Sequence, residues 1–209
     1  MSKIDLINVF ICAAMGPPGG GRNEVTPRFM RHFHAVSMVP FNDATLTRIF
    51  STLMQTYLRD QEFTSDFFLM GNVMVDATLQ VYKAAISNLL PTPAKSHYVF
   101  NLRDFSRVIL GICLIKKEQV PNKQTFIRLW VHEVLRVFYD RLTDDSDRQW
   151  LVEYIKNSIE TSFKEKVNAV FSHLLENSKD NVTEETFRSL IFGDFMDIDA
   201  LLEDRNYDE

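Results

Sequence analysis

From Leu46 onward the apolar residues recur at helical spacing. Leu46, Ile49, Phe50, Leu53, Met54 and Tyr57 fall three or four apart, the interval that lines one face of a helix. Asn42 or Asp43 supplies the start signal, because a short polar side chain there accepts a hydrogen bond from an unpaired first-turn amide. A second run, Asp66 to Leu90, carries Phe67, Met70, Met74, Leu79, Tyr82, Ile86 and Leu89 and stops at Pro91 and Pro93. The two predict helices able to pack antiparallel. Asn101 then caps a helix whose apolar face is Leu102, Phe105, Val108, Ile109, Ile112 and Cys113, with Arg103 and Arg107 on the other side.

Beyond Pro121, KQTFIRLWVHEVLRVFYDRL is expected to be the most amphipathic helix of the chain, and DDSDRQW to cap a further helix running through Leu175. The polar tail from Glu176 holds Phe187, Leu190, Ile191, Phe192, Phe195 and Met196, a segment expected to dock, before final residues that read as frayed or linker-like. The first forty residues follow another pattern. Val9, Phe10 and Ile11, with Cys12, Ala13 and Ala14, form a continuous apolar run expected of a strand buried on both faces, and Ala35 to Val39 offers a second strand. The pattern therefore predicts two strands followed by helices, without internal repeats.

Charge and composition narrow the classes. A formal net charge of −5 excludes a global basic signature for nonspecific nucleic-acid binding. No apolar run reaches the length of a membrane span, and MSKIDLINVF, short and interrupted by Asp5, is not a signal peptide. Seventeen phenylalanines argue for a packed chain. Cys12 and Cys113 sit in apolar runs and are expected to be buried, reduced thiols of an intracellular protein.

Motifs with chemical content are few. Gly16 to Asn23, GPPGGGRN, has the spacing of a P-loop, but Arg22 and Asn23 stand where a lysine and a hydroxyl must reach phosphate and magnesium. Two prolines also remove amides from the cradle, so a structural turn is the better reading. His132, Glu133 and Arg136 spell H-E-x-x-R, which lacks the second zinc histidine. A helix surface paired through Glu133 and Arg136 is expected instead. His32 and His34 share a face without a third ligand, and Asp194, Asp197 and Asp199 miss calcium-loop spacing and read as an acidic surface. Neither cysteine has a partner constellation for a nucleophile, and G-x-S-x-G is absent. The arginines are more informative. Arg28 and Arg31 lie three apart after the turn, and Arg103 opens a helix; arginine suits bidentate contact with phosphate.

Three stretches together resemble a known family. AAMGPPGGGRNEVTPRFMRHF, HYVFNLRDFSRVILGI and FIRLWVHEVLRVFYDRL, in that order, are similar to the motor domain of axonemal dynein heavy chains, at the back part of the third AAA+ module. The resemblance covers essentially the whole chain. It implies a mainly α fold, an AAA+ small helical lid preceded by the last one or two β-strands of a truncated α/β P-loop core. Residues 1–42 would be the core remnant, 43–145 the lid, and 146–209 a helical extension toward the next module. Val9 to Met15 would be the sensor-1 strand, with the usual polar residue replaced at Met15 or Gly16. Arg28 or Arg31 would lie in the arginine-finger region facing the neighbouring module's nucleotide. Arg103 would be sensor 2, reaching this module's own nucleotide.

The resemblance further implies ATP or ADP with Mg in the parent motor, with the remaining AAA+ modules, other dynein subunits and microtubules as partners, and neither nucleic acid nor membrane. The location it implies is cytoplasm, cytoskeleton and ciliary axoneme. Walker A lysine and Walker B acids are not found, so the chain reads as a fragment or short isoform that does not hydrolyse ATP by itself and needs no cofactor in isolation. The rival reading is a non-enzymatic helical interaction module docking on a partner through an exposed strand edge.

Overall fold

In the computed structural model, which describes residues 7–16, 24–39, 41–175, 181–195 and 205–209, Asn42 opens the helical part of the chain. Its side-chain oxygen accepts the Thr45 N–H at 2.8 Å, which starts α2 (Asp43–Asp60) after the short α1 (Pro27–Met30). α2 buries Leu46, Phe50, Met54 and Leu58 at strict i, i+4 spacing and leaves Ile49 and Leu53 outside. The chain reverses through Gln61–Thr64, where Glu62 takes a left-handed φ of 56°, and returns as α3 (Ser65–Asn88). Gly71 sets how closely the two helices approach. A Cβ there would lie 2.9 Å from Met54 Cγ and 3.0 Å from Leu58 Cδ1.

α3 also packs on α4 (Leu102–Ile112), α5 (Lys123–Val134) and α6 (Asp145–Ser158). Its buried face is therefore wider than one stripe and built from small residues, with Val75, Ala77, Thr78, Val81 and Ala85 beside Met74, while Ile86 stays exposed. α5 differs from expectation. Every residue from Thr125 to Val134 is buried, so this helix is the centre of the bundle and is not amphipathic. α4, α3 and α7 (Val167–Val170) surround it, and the Trp130 indole donates to Thr78 Oγ1 at 2.9 Å. α5 runs on into a π-helical turn, Leu135–Tyr139.

The helix expected to reach Leu175 is broken. α6 ends in a second π-helical turn, Ile159–Phe163, and Lys164 at φ 57° reverses the backbone, since an L-residue there cannot continue a right-handed helix. The tail docks as expected through α8 (Glu184–Ser189). Phe187, Leu190 and Phe192 are buried, each worth about 1.5–3 kcal/mol of apolar transfer. Ile191 and Phe195 are exposed, and Met196 lies outside the described residues. The final residues are not frayed: Gly193 and Asp208 exchange backbone hydrogen bonds of 2.9 and 3.0 Å.

The chain divides into two compact units, Met1–Pro40 and Phe41–Glu209. In the first, the strand segments expected at Val9–Ala14 and Ala35–Val39 are not strands. A strand exists only through ladder hydrogen bonds to a neighbour, and none is formed among the described residues of this unit. The apolar run is correspondingly bare, with Phe10 fully exposed, and Cys12 is exposed, not buried. The strand edge required by the rival interaction-module reading is thus not found there. Most of the GPPGGGRN turn, together with Asp197 and Asp199, lies outside the described residues.

Candidate functional site

Arg103 stands in the first turn of α4, and the turn is doubly capped. Asn101 Oδ1 accepts the Arg103 N–H at 2.8 Å, and Asp104 Oδ2 accepts the Asn101 N–H at 2.9 Å. The Arg103 side chain projects from this turn into solvent. The Asp104 carboxylate beside it is buried and meets two arginines, Arg141 Nη1 at 3.2 Å and Arg107 Nη1 at 3.9 Å. Arg141 follows the π-helical turn of α5 and reaches back. Its Nη2 donates to the carbonyls of His97 at 2.9 Å and Val99 at 3.1 Å, and its guanidinium lies 4.9 Å from the Phe100 ring centre.

The connector before α4 is fixed at further points. His97 Nε2 donates to the Arg141 carbonyl at 2.9 Å, and Phe100 stacks on Phe138 at 5.6 Å. Tyr98 Oη donates to Asp147 at 3.0 Å and accepts the Thr143 N–H at 3.0 Å. Lys95 bridges Asp144 at 2.5 Å and Asp147 at 2.6 Å; the bond to Asp144, then that to Asp147, raises its pKa. The start of α4 is therefore a preorganised platform carrying one free-reaching cationic side chain.

Arg28 and Arg31 belong to the first unit. Arg28 lies on α1 and Arg31 is its C-cap, with Nε donating to His32 Nε2 at 3.2 Å; both are exposed. Met15 is also exposed. These two arginines and Arg103 sit in different units.

Sequence reasoning missed a second polar cluster, on α5. Glu133 is buried and unpaired with Arg136, which bridges Asp140 at 3.1 Å instead. This overturns the expected Glu133–Arg136 surface pair, because α5 is buried on every side from Thr125 to Val134. Tyr207 Oη donates to Glu133 at 2.5 Å, and His132 Nδ1 lies 3.4 Å from the same carboxylate. Burial, then the Glu133 contact, pushes the Tyr207 phenol above its usual value. One turn earlier the buried Arg128 holds Glu209 by Nε at 2.7 Å and Nη2 at 2.6 Å, while Nη1 donates to the Val170 carbonyl at 3.0 Å. His173 Nε2 meets Glu209 at 2.8 Å. The one available signal was the set of charged and polar residues, Arg128, His132 and Glu133, inside the stretch 126–134, otherwise built of Phe, Ile, Leu, Trp and Val. The Cys113 thiol is pushed up to about 12 by burial, which makes it a poor nucleophile.

Among the described residues no group of three or more His, Cys, Asp or Glu can hold a metal, and no helix is long and apolar enough to cross a membrane.

Comparison with known proteins gives two family matches in chain order. The P-loop containing dynein motor region matches residues 1–41, and the AAA+ lid domain matches residues 74–173. Along its whole length the chain is similar to dynein axonemal heavy chain 12 of Mus musculus, 57% identical over 208 residues, and to that of Homo sapiens, 54% identical. Dynein axonemal heavy chain 3 of Mus musculus is 44% identical over the same length. The chain spans 7% of the first two relatives and 5% of the third. With high identity along the whole chain, and a lid match on the bundle that carries Arg103, the chain belongs to the axonemal dynein heavy chains.

Proposed function

We propose that this chain serves as the lid side of a regulatory nucleotide site, the third AAA+ module of an axonemal dynein heavy chain. In this reading residues 1–42 are the end of the α/β core, 43–145 the helical lid and 146–209 the extension toward the fourth module. The observation that carries it is Arg103: an exposed arginine on a capped, ion-paired helix start, in a bundle matched by the AAA+ lid family. A guanidinium so presented offers paired N–H donors to phosphate oxygens.

Arg103 is the sensor-2 residue for the module's own ATP or ADP with its Mg, and Arg28 or Arg31 is directed at the neighbouring module's nucleotide. The heavy chain is the ATP-driven motor that moves on microtubules in the ciliary axoneme, with the other AAA+ modules and dynein subunits as partners. The lid reports nucleotide state to the rest of that motor. By itself this chain contributes binding and positioning groups, not hydrolysis.

The test is Arg103→Ala in a full heavy chain carrying this segment, with ATP and ADP affinity and turnover measured. Loss of a charge-assisted phosphate contact weakens nucleotide binding by about 1.5–3 kcal/mol, roughly ten- to a hundredfold. Unchanged affinity and turnover overturn the sensor-2 role.

A further inference from the structure

We propose that Arg141 is a positioning residue for Arg103: from the far end of α5 it fixes the turn from which Arg103 reaches nucleotide. The proposal rests on the reading of Arg103 as a nucleotide-facing group. A phosphate contact tolerates only small displacement, so whatever holds the Arg103 backbone sets the affinity. That backbone is held on both sides by groups that converge on Arg141. Upstream, Nη2 takes the carbonyls of His97 and Val99, and the guanidinium covers Phe100. Downstream, Nη1 faces Asp104, whose other oxygen accepts the Asn101 N–H. Asn101 in turn accepts the Arg103 N–H.

Chemistry requires an arginine here. One planar group serves a carboxylate, two carbonyls and an aromatic face at once, from five N–H donors in a fixed fork; a lysine ammonium is a point charge and satisfies at most part of this set. Asp104 needs the cation. Its side chain is 5% exposed, and its second cation, Arg107, stands farther off at 3.9 Å on a side chain 62% exposed. The π-helical turn Leu135–Tyr139 brings Arg141 to this place. The Asp140 N–H bonds back to the Leu135 carbonyl at 3.1 Å, and the turn presents Phe138 beneath Phe100. π-turns are rare in proteins and occur frequently at functional sites.

The experiment is a double-mutant cycle in a full heavy chain carrying this segment, read by titration with a fluorescent ATP analogue and with ADP. Arg103→Ala and Arg141→Lys are each expected to weaken binding about tenfold, the size of one lost charge-assisted contact. The double variant is expected to be no weaker than Arg103→Ala, because Arg141 acts through Arg103. Asp104→Asn keeps an acceptor for the Asn101 N–H and removes the charge facing Arg141. It is the milder second variant, with the same direction and the same lack of additivity. If Arg103→Ala weakens binding while Arg141→Lys and Asp104→Asn leave it unchanged, or if the losses add, the positioning role is overturned and the sensor reading survives. If Arg103→Ala itself changes nothing, both fall together.

Discussion

Gly111 shows how a single residue admits a buried carboxylate, that of Glu133. A Cβ at this position of α4 would lie 1.9 Å from Glu133 Oε2 and 2.2 Å from its Cδ, so alanine must push the carboxylate off the Tyr207 hydroxyl. Two effects compete. Alanine gains about 1 kcal/mol of helix propensity over glycine, whereas overpacking costs about 1–3 kcal/mol and a displaced buried hydrogen bond about 1–3 kcal/mol more. The second group wins. Gly111→Ala is expected to lower the urea unfolding free energy of the chain by about 1–5 kcal/mol, the two costs less the gain in propensity. In a Glu133→Ala background the same change is expected to become neutral or stabilising, because the clash partner has gone and only propensity remains. An equal loss in both backgrounds would show that the glycine is kept for another reason. Nothing in the sequence at Gly111 announces this, since the carboxylate it accommodates comes from another helix.

The helices that pattern and capping define were legible; the ones set by tertiary surroundings were not. Asn42 and Asn101 cap where their side chains predict, because capping is a local hydrogen bond. The sequence of α5 suggests a solvent face at Arg128, His132 and Glu133, whereas the docked tail, Gly111 of α4 and Val170 enclose these side chains. Lys164 and the two π-turns carry no composition signal. Arg103 could be singled out by its place after Asn101, but its holder Arg141 is thirty-eight residues away in sequence and is found only in the fold.

Element junctions here are stitched by phenols. Tyr57 donates to the Ile115 carbonyl, Tyr139 to Glu184 and Tyr207 to Glu133. Burial pushes the Tyr139 phenol up to about 12, with Glu184 as a further cause, and burial first raises those of Tyr57 and Tyr207 as well. The sign follows from linkage. The folded state favours the neutral phenol, so its stabilisation is full below the unfolded value near 10 and is lost as pH rises above it. Cys113, raised from 9.0 to about 12, acts in the same direction from slightly lower pH. The melting temperature is therefore expected to fall as pH climbs from about 9 toward 12. Tyr207→Phe is expected to lower Tm at neutral pH and to flatten the alkaline slope; an alkaline slope identical to that of the unsubstituted chain would show that Tyr207 is not among its sources.

At the scale of the whole molecule, the two units present their arginines differently. The second unit has a continuous core running from α2 to the docked tail, and its Arg103 rises from an ordered platform. Among the described residues of the first unit none is buried, and Arg28 and Arg31 stand on one short turn. A lid arginine and a finger arginine add donors to a phosphate held by something else; they do not replace a cradle of amides with its lysine. GPPGGGRN is not expected to supply that cradle, because Arg22 and Asn23 occupy the lysine and hydroxyl places of its P-loop-like spacing. Calorimetric titration of the purified chain with ATP and with ADP is accordingly expected to give no micromolar binding, while Arg103→Ala is expected to weaken binding in the full heavy chain. Micromolar binding to the chain that disappears in Arg22→Ala would restore the turn as a working phosphate loop, and would transfer the nucleotide contact from the lid to the first unit.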